Sequence, residues 1–237
     1  MKGGGGFALS LMKGARLPAA RLMKIRYIGH SCFAVETNAG NRLVIDPYDP
    51  SIGLTPVNET ADVLLITHDH PDHAYADGVH GDYERIDAPG TYEVHGMKIR
   101  GLQVPHDSVQ GADRGYVTAY LIEADGLRLL HLGDVGAMPD EEFMSGLGRI
   151  DVLMIPVGGT FTVDAQGALA ISERIAPNLI IPMHFKTNRL KMNIAPAAAF
   201  VERAKYDYDI QRQGDVLMLN GDTKKKRGRI ILMENSF

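Results

Sequence analysis

Three histidines and two aspartates fall within the run His68-Asp69-His70-Pro71-Asp72-His73, and that is the composition of a metal site. Imidazole nitrogens and carboxylate oxygens hold divalent cations well. The plainer alternative is a solvated polar turn. The preceding run, Val63 to Ile66, has the length and branched content of a buried strand. An extended continuation alternates its side chains, so His68 and His70 point one way and Asp69 the other. Pro71 suits a first helical position, which puts Asp72 and His73 in a first turn, where the helix dipole favours an ionised Asp72. His68 and His70 can then serve one ion, and Asp72 and His73 a second ion beside it.

Those side chains need strands to carry them. From Met23 the pattern reads as a meander, Lys24 to Ile28, Ser31 to Thr37 and Arg42 to Asp46, with Asp46 left at a strand tip by Pro47. After the histidine-rich run come Tyr83 to Asp87, Gly90 to Val94 and Met97 to Val104, the last ending at Pro105-His106-Asp107. Gly115 to Glu123 and Leu127 to Leu132 form a hairpin around Asp125-Gly126 and end at Gly133-Asp134. Asp151 to Ile155 and Leu179 to Pro182 read as buried strands, the second leading to His184. Helices are expected at Pro139 to Leu147, at Asp164 to Ile175 with Thr162 as cap, and at Pro196 to Ala204. Val216 to Leu219 and Ile230 to Met233 are expected to close a final hairpin around Asn220-Gly221, with Lys224 to Arg227 as a solvated loop. Asp46, His68, His106, Asp134 and His184 each stand at the end of an apolar strand. That is the pattern of a sheet fold whose strands converge on one site, and strands followed by helices suit a two-sheet sandwich.

Composition narrows the chemistry. A chain of 237 residues with 45% hydrophobic and 23% charged residues can bury one sizeable core. The formal net charge of -4 gives no electrostatic reason to expect nucleic-acid binding. Cys32 is the single cysteine, so histidine and carboxylate must do any metal binding. No apolar run approaches the ~18 residues needed to cross a bilayer, and a cytoplasmic location is expected. Residues 1–22, glycine-rich and basic, read as a disordered extension ahead of a single domain over residues 23–237.

The order His68-Asp69-His70-Pro71-Asp72-His73, His106, Gly133-Asp134, His184 resembles the metallo-β-lactamase superfamily of hydrolases. Ile28-Gly29-His30-Ser31-Cys32-Phe33, Ile45-Asp46-Pro47, the stretch Ile155 to Thr162 and Ile181-Pro182-Met183-His184 are similar to the ascorbate-6-phosphate lactonase-like branch of small metal-dependent hydrolases. The resemblance implies an α/β fold, a four-layer αβ/βα sandwich with metals at one edge of two sheets. It further implies one metal on His68, His70 and His106, a second on Asp72, His73 and His184, and Asp134 bridging them. Donors of this kind suit two divalent ions, Zn²⁺ first, with Mn²⁺, Fe and Ni²⁺ open.

The function implied is hydrolysis of a small ester, lactone, thioester or phosphoester by a bridging hydroxide. A phosphodiesterase acting on nucleic acid and an iron-dependent oxidoreductase on the same fold are the alternatives. Asp72 and His30 are the catalytic candidates, His30 either donating a proton to the leaving group or hydrogen-bonding within the core. Asp46 is expected to fix a histidine tautomer. The loop Gly158-Gly159-Thr160-Phe161-Thr162 offers amides to an anionic group or simply caps a helix. A small-molecule substrate is the expected partner, with no membrane and homo-oligomerisation open.

Overall fold

The computed structural model describes residues 22–220, 223 and 228–234. The strands in chain order are β1 (Met23–Gly29), β2 (Cys32–Glu36), β3 (Arg42–Ile45), β4 (Glu59–Thr60), β5 (Val63–Leu65), β6 (Val79–His80), β7 (Glu84–Ile86) and β8 (Gly90–Val94). They continue with β9 (Met97–Pro105), β10 (Tyr116–Ala124), β11 (Leu127–His131), β12 (Val152–Pro156), β13 (Leu179–Met183), β14 (Asp209–Gln213), β15 (Val216–Leu219) and β16 (Arg229–Met233). The helices are α1 (Glu141–Leu147), α2 (Ala165–Ile175) and α3 (Ala198–Ala204). One sheet runs β15-β1-β2-β3-β5-β7, the other β14-β16-β13-β12-β11-β10-β9-β8, and β4 and β6 make a small ribbon.

Period-two alternation assigns the two faces of the first sheet. Leu43, Ile45, Val63 and Leu65 point into the core shared with the second sheet. Val44 and Leu64, one residue out of phase, pack outward with Cys32, Tyr48, Val57 and Val79. Loop and 3₁₀ turns between residues 48 and 79, with the β4–β6 ribbon, cover this outer face. α1 lies on β9 and α2 on β12 of the second sheet, and α3 packs on α2. β12 and β13 are buried along their whole length, as strands covered on both faces must be.

Two buried polar links lock the sheets near the site. The Tyr120 hydroxyl donates to the carbonyls of Ile66 and Ile86 at 2.9 and 3.0 Å. His131 Nε2 donates to the Ser31 carbonyl at 2.9 Å.

Several expectations are corrected. The final hairpin does not form: β15 pairs with β1 at the edge of the first sheet, and β16 enters the second sheet between β13 and β14. The burial patterns carry the reason, since β15 alternates like an edge strand whereas Ile230 to Met233 are buried without a break. No helix begins at Pro71. His70 accepts at its carbonyl from the amides of both His73 and Ala74, so a single turn closes and ends. The cap of α2 is Asp164, which accepts from the Gln166 and Gly167 amides, and Thr162 does not cap it. α1 and α3 start two residues later than expected, because Asp140 caps α1 and Pro196 and Ala197 precede α3. The strands β4, β6 and β14 were not foreseen; their mostly polar sequences carry little hydrophobic period. Residues 1–21 of the extension and Lys224 to Arg227 lie outside the described residues.

Candidate metal centre

Every side chain of the centre leaves the end of a strand. His30 follows β1, Asp46 follows β3, the turn with His68, His70, Asp72 and His73 follows β5, His106 follows β9, Asp134 follows β11, and His184 follows β13. β3 runs parallel to β5, and β11, β12 and β13 run parallel to one another, so their carboxyl ends share an edge. Two glycines permit the close approach. A Cβ on Gly133 would sit 2.9 Å from the Thr67 side chain, and one on Gly158 would sit 2.2 Å from the His184 carbonyl oxygen. His30, Asp46 and His184 adopt φ of 55°, 49° and 50°, a left-handed backbone that non-glycine residues keep where tertiary structure enforces it.

The motif turn is shaped by Asp46. β5 stops at Leu65, and the buried Asp46 carboxylate then accepts from the Thr67 amide at 2.8 Å and the Thr67 hydroxyl at 2.7 Å. This bends the chain, so His68 and His70 meet through a turn instead of by strand alternation, with ring centroids 4.5 Å apart.

The same carboxylate orients two imidazoles. His73 Nδ1 donates to Asp46 Oδ2 at 2.8 Å. The Thr67 hydroxyl, having given its proton to Asp46, accepts from His68 Nδ1 at 2.9 Å. His106 Nδ1 donates to the Asp134 carbonyl at 2.9 Å. In its neutral form each ring is therefore held in the tautomer that leaves Nε2 with a free lone pair.

Those lone pairs converge. The atoms of His68, His70 and His106 lie within 4.8 Å of one another, and so do those of His30, Asp72, His73 and His184. A third group, His68, His73 and Asp134, spans the first two. Asp134 Oδ1 is 3.3 Å from His73 Nε2, and its Oδ2 is 3.4 Å from His184 Nε2 and 3.9 Å from His68 Nε2. Among the described residues, Nε2 of His68, His73, His106 and His184 and Oδ1 of Asp134 are buried with no hydrogen-bond partner. Buried polar atoms left this way are costly unless something else satisfies them. Divalent cations fit the donor set and its spacing.

Electrostatics point the same way. Burial and neighbouring His184 push His30 down to about 4, and burial and His73 push His68 down to about 3. Burial lowers His106 as well. Burial opposes ionising Asp134, but His184 and His73 hold its carboxyl well below the usual carboxylate range. Burial likewise opposes ionising Asp72, and the hydrogen bond from His30 together with neighbouring His73 wins. His73 alone is raised; against burial, Asp134 and Asp46 draw a proton to it, the positive charge that a cation would replace.

His30 stands behind Asp72, not in the opening. It is buried, and its Nε2 donates to Asp72 Oδ2 at 3.0 Å. The cavity over the centre, about 410 Å³, is lined by His70, Asp72, His106, Arg114, Asp134, Phe161 and Met192. Asp69, His80 and His95 are exposed, and Cys32 is packed in the core with its thiol raised by burial. In the loop after β12, the Gly159 and Phe161 amides bond within the loop, to Val163 and Gly159, so it gives the cavity a ring instead of those amides. Phe161 stands in the quoted Gly158 to Thr162 loop, whereas Arg114 and Met192 belong to no motif and the sequence reading missed them.

Two sheets that deliver imidazoles and carboxylates from their strand ends to one edge define a metal-dependent hydrolase of the metallo-β-lactamase type. Residues 24–184 match the β-lactamase superfamily domain. The chain is 32% identical over 197 residues to a UPF0173 metal-dependent hydrolase of Thermococcus onnurineus, covering 70% of this chain and 86% of that protein. Its structure is similar to that of a candidate Zn-dependent hydrolase of the metallo-β-lactamase superfamily from Thermotoga maritima, with a TM-score of 0.76, 36% identity, and coverage of 90% of this chain and 100% of that one. Igni18, a metallo hydrolase of Ignicoccus hospitalis, shares the fold at 24% identity and a TM-score of 0.57, over 78% of this chain and 91% of that one. The chain belongs to the metallo-β-lactamase superfamily and is a metal-dependent hydrolase of it.

Proposed function

We propose that the chain binds two divalent cations and hydrolyses a small ester, lactone, thioester or phosphoester. His68, His70 and His106 would hold one cation, Asp72, His73 and His184 the other, and Asp134 would lie between. Zn²⁺ is the first choice, with Mn²⁺, Fe and Ni²⁺ suited to the same donors; the similarity to a candidate Zn-dependent hydrolase supports that order. When bound, such a pair supplies an acidified water as nucleophile and polarises the substrate carbonyl or phosphoryl oxygen.

The observation that carries this reading is the position of Asp134. Its carboxylate lies 3.3 and 3.4 Å from Nε2 of His73 and His184, assigned to one cation, and 3.9 Å from Nε2 of His68, assigned to the other. The remaining roles belong to the chain itself. Asp46 and Thr67 keep His73 and His68 in their donor tautomers, and the Asp134 carbonyl does so for His106. Asp72 lines the cavity, while His30 holds its Oδ2. We assign His30 as a positioning residue for Asp72, and Asp72 as the group within reach of a substrate.

The test is turnover of lactone, thioester, carboxylic ester and phosphodiester panels by the purified chain, before chelation, after it, and after reloading with Zn²⁺ or Mn²⁺. Activity that disappears with metal and returns with it supports the reading. Full activity in chelated protein contradicts it.

A further inference from the structure

The cavity that His70, Asp72, His106 and Asp134 line also carries a cationic side chain. The Arg114 guanidinium carbon lies 5.1 Å from the Phe161 ring centroid, and the side chain makes no hydrogen bond or ion pair to a described residue. It lines the same opening as His70, His106 and Asp134. An exposed arginine is usually just solvated, but this one is fixed in place.

The fixing agent is Asp107, the neighbour of His106. Its carboxylate accepts from the amides of Val109 and Gly111 through Oδ1, at 2.9 and 2.7 Å, and from those of Asp113 and Arg114 through Oδ2, at 2.9 and 2.7 Å. The His106 amide in turn donates to the Gly115 carbonyl at 3.0 Å. The loop thus begins on a residue of the centre and returns to it directly after Arg114. Little ordering remains for a ligand to impose on the backbone there. Phe161 supports the guanidinium by a cation–π contact, and a planar fork so supported suits a carboxylate or phosphate better than a point charge does.

Building on the hydrolase reading above, we propose that Arg114 is a specificity-determining residue, and that the substrate carries an anionic oxyacid group, carboxylate or phosphate, which docks on it. Phe161 and Met192 line the same cavity as Arg114 and the centre, an apolar lining that suits a short apolar segment in the substrate.

The experiment compares wild type with Arg114→Ala and Arg114→Lys, all as the metal-loaded full chain. Arg114 is exposed, so neither change disturbs the core. The substrates are a matched pair, 4-nitrophenyl acetate and the mono-4-nitrophenyl ester of glutaric acid, and the readout is kcat/KM for the glutarate ester divided by kcat/KM for the acetate. That ratio should fall about ten- to a hundredfold in Arg114→Ala, the range for losing hydrogen bonds to a charged group, and less in Arg114→Lys. An unchanged ratio overturns the proposal.

A second arm measures binding of glutarate and of inorganic phosphate by calorimetry, without turnover. Weaker binding of either anion to Arg114→Ala supports the site and shows which oxyacid it takes. Equal binding of both by wild type and Arg114→Ala overturns it. Should neither ester be cleaved while anion binding still depends on Arg114, the anion site stands without carboxylic-ester hydrolysis, and the hydrolase reading is decided by the lactone, thioester and phosphodiester panels.

Discussion

Asp46 Oδ2 lies 2.8 Å from His73 Nδ1, and the same oxygen accepts the Thr67 hydroxyl that orients His68. One fully buried carboxylate, itself outside the reach of a substrate, therefore aims an imidazole into each half of the centre. Its removal should be felt by both halves.

Asp46→Ala leaves His73 and His68 free to turn and the Thr67 amide unpartnered. Metal affinity should fall about 10–100-fold, the usual effect of losing a partner that orients a ligand. Competition titration against a chromophoric chelator measures it. Unchanged affinity for both ions would show that the rings are held by packing alone.

His30→Ala takes away the donor that holds Asp72 Oδ2. Because His30 does not line the opening, kcat should drop by about tenfold or more while KM changes little, the pattern expected when an interaction serves only the transition state. His30→Gln, which can still donate to Asp72, should recover part of the loss. A variant with wild-type kcat would remove His30 from the mechanism.

The pH dependence of the metal-free protein follows from His30, at about 4, and His68, at about 3. Both lie below the free-histidine value of about 6.5. As pH falls through about 6.5 the unfolded chain takes up protons that these buried rings refuse, so stability is complete above that pH and declines toward about 4. His73 has the opposite sign: its contribution is fully present below about 6.5 and is lost as pH rises through its raised native value, so it does not offset the acid slope. Urea midpoints of chelated protein between about pH 4.5 and 6.5 should rise with pH. A flat series would contradict the assignment of neutral, buried rings.

Tyr120→Phe tests the lock between the sheets. The carbonyls of Ile66 and Ile86 would lose their shared donor in a buried setting, at a cost of ~1–3 kcal/mol in unfolding free energy. Denaturant unfolding of the variant checks it, and a difference under about 0.5 kcal/mol would mean that the donor is replaced.

Much of the centre was legible in the sequence because each of its residues follows an apolar strand. Val63 to Leu65, Met97 to Val104, Leu127 to His131 and Leu179 to Met183 are all strands that end at His68, His106, Asp134 and His184. The local path between them was not legible. Alternation brought His68 and His70 together on paper, whereas the molecule does so with a turn that Asp46 imposes through Thr67, a contact between β3 and β5 that no local pattern reveals. The final two strands show the same limit, since Asn220-Gly221 is a sound hairpin signal and only burial along β16 tells that it belongs to another sheet. Arg114 escaped notice because its place depends on four amide bonds to Asp107, and loops fixed by side chains carry no hydrophobic period.

The most direct measurement is the metal content of the purified chain by native mass spectrometry, for wild type and for Asp134→Ala. Two ions per wild-type chain are expected and, in the variant, loss of at least one ion together with hydrolytic activity. A fully active wild-type chain that carries a single ion, or an Asp134→Ala chain that keeps both ions and full activity, would contradict that expectation.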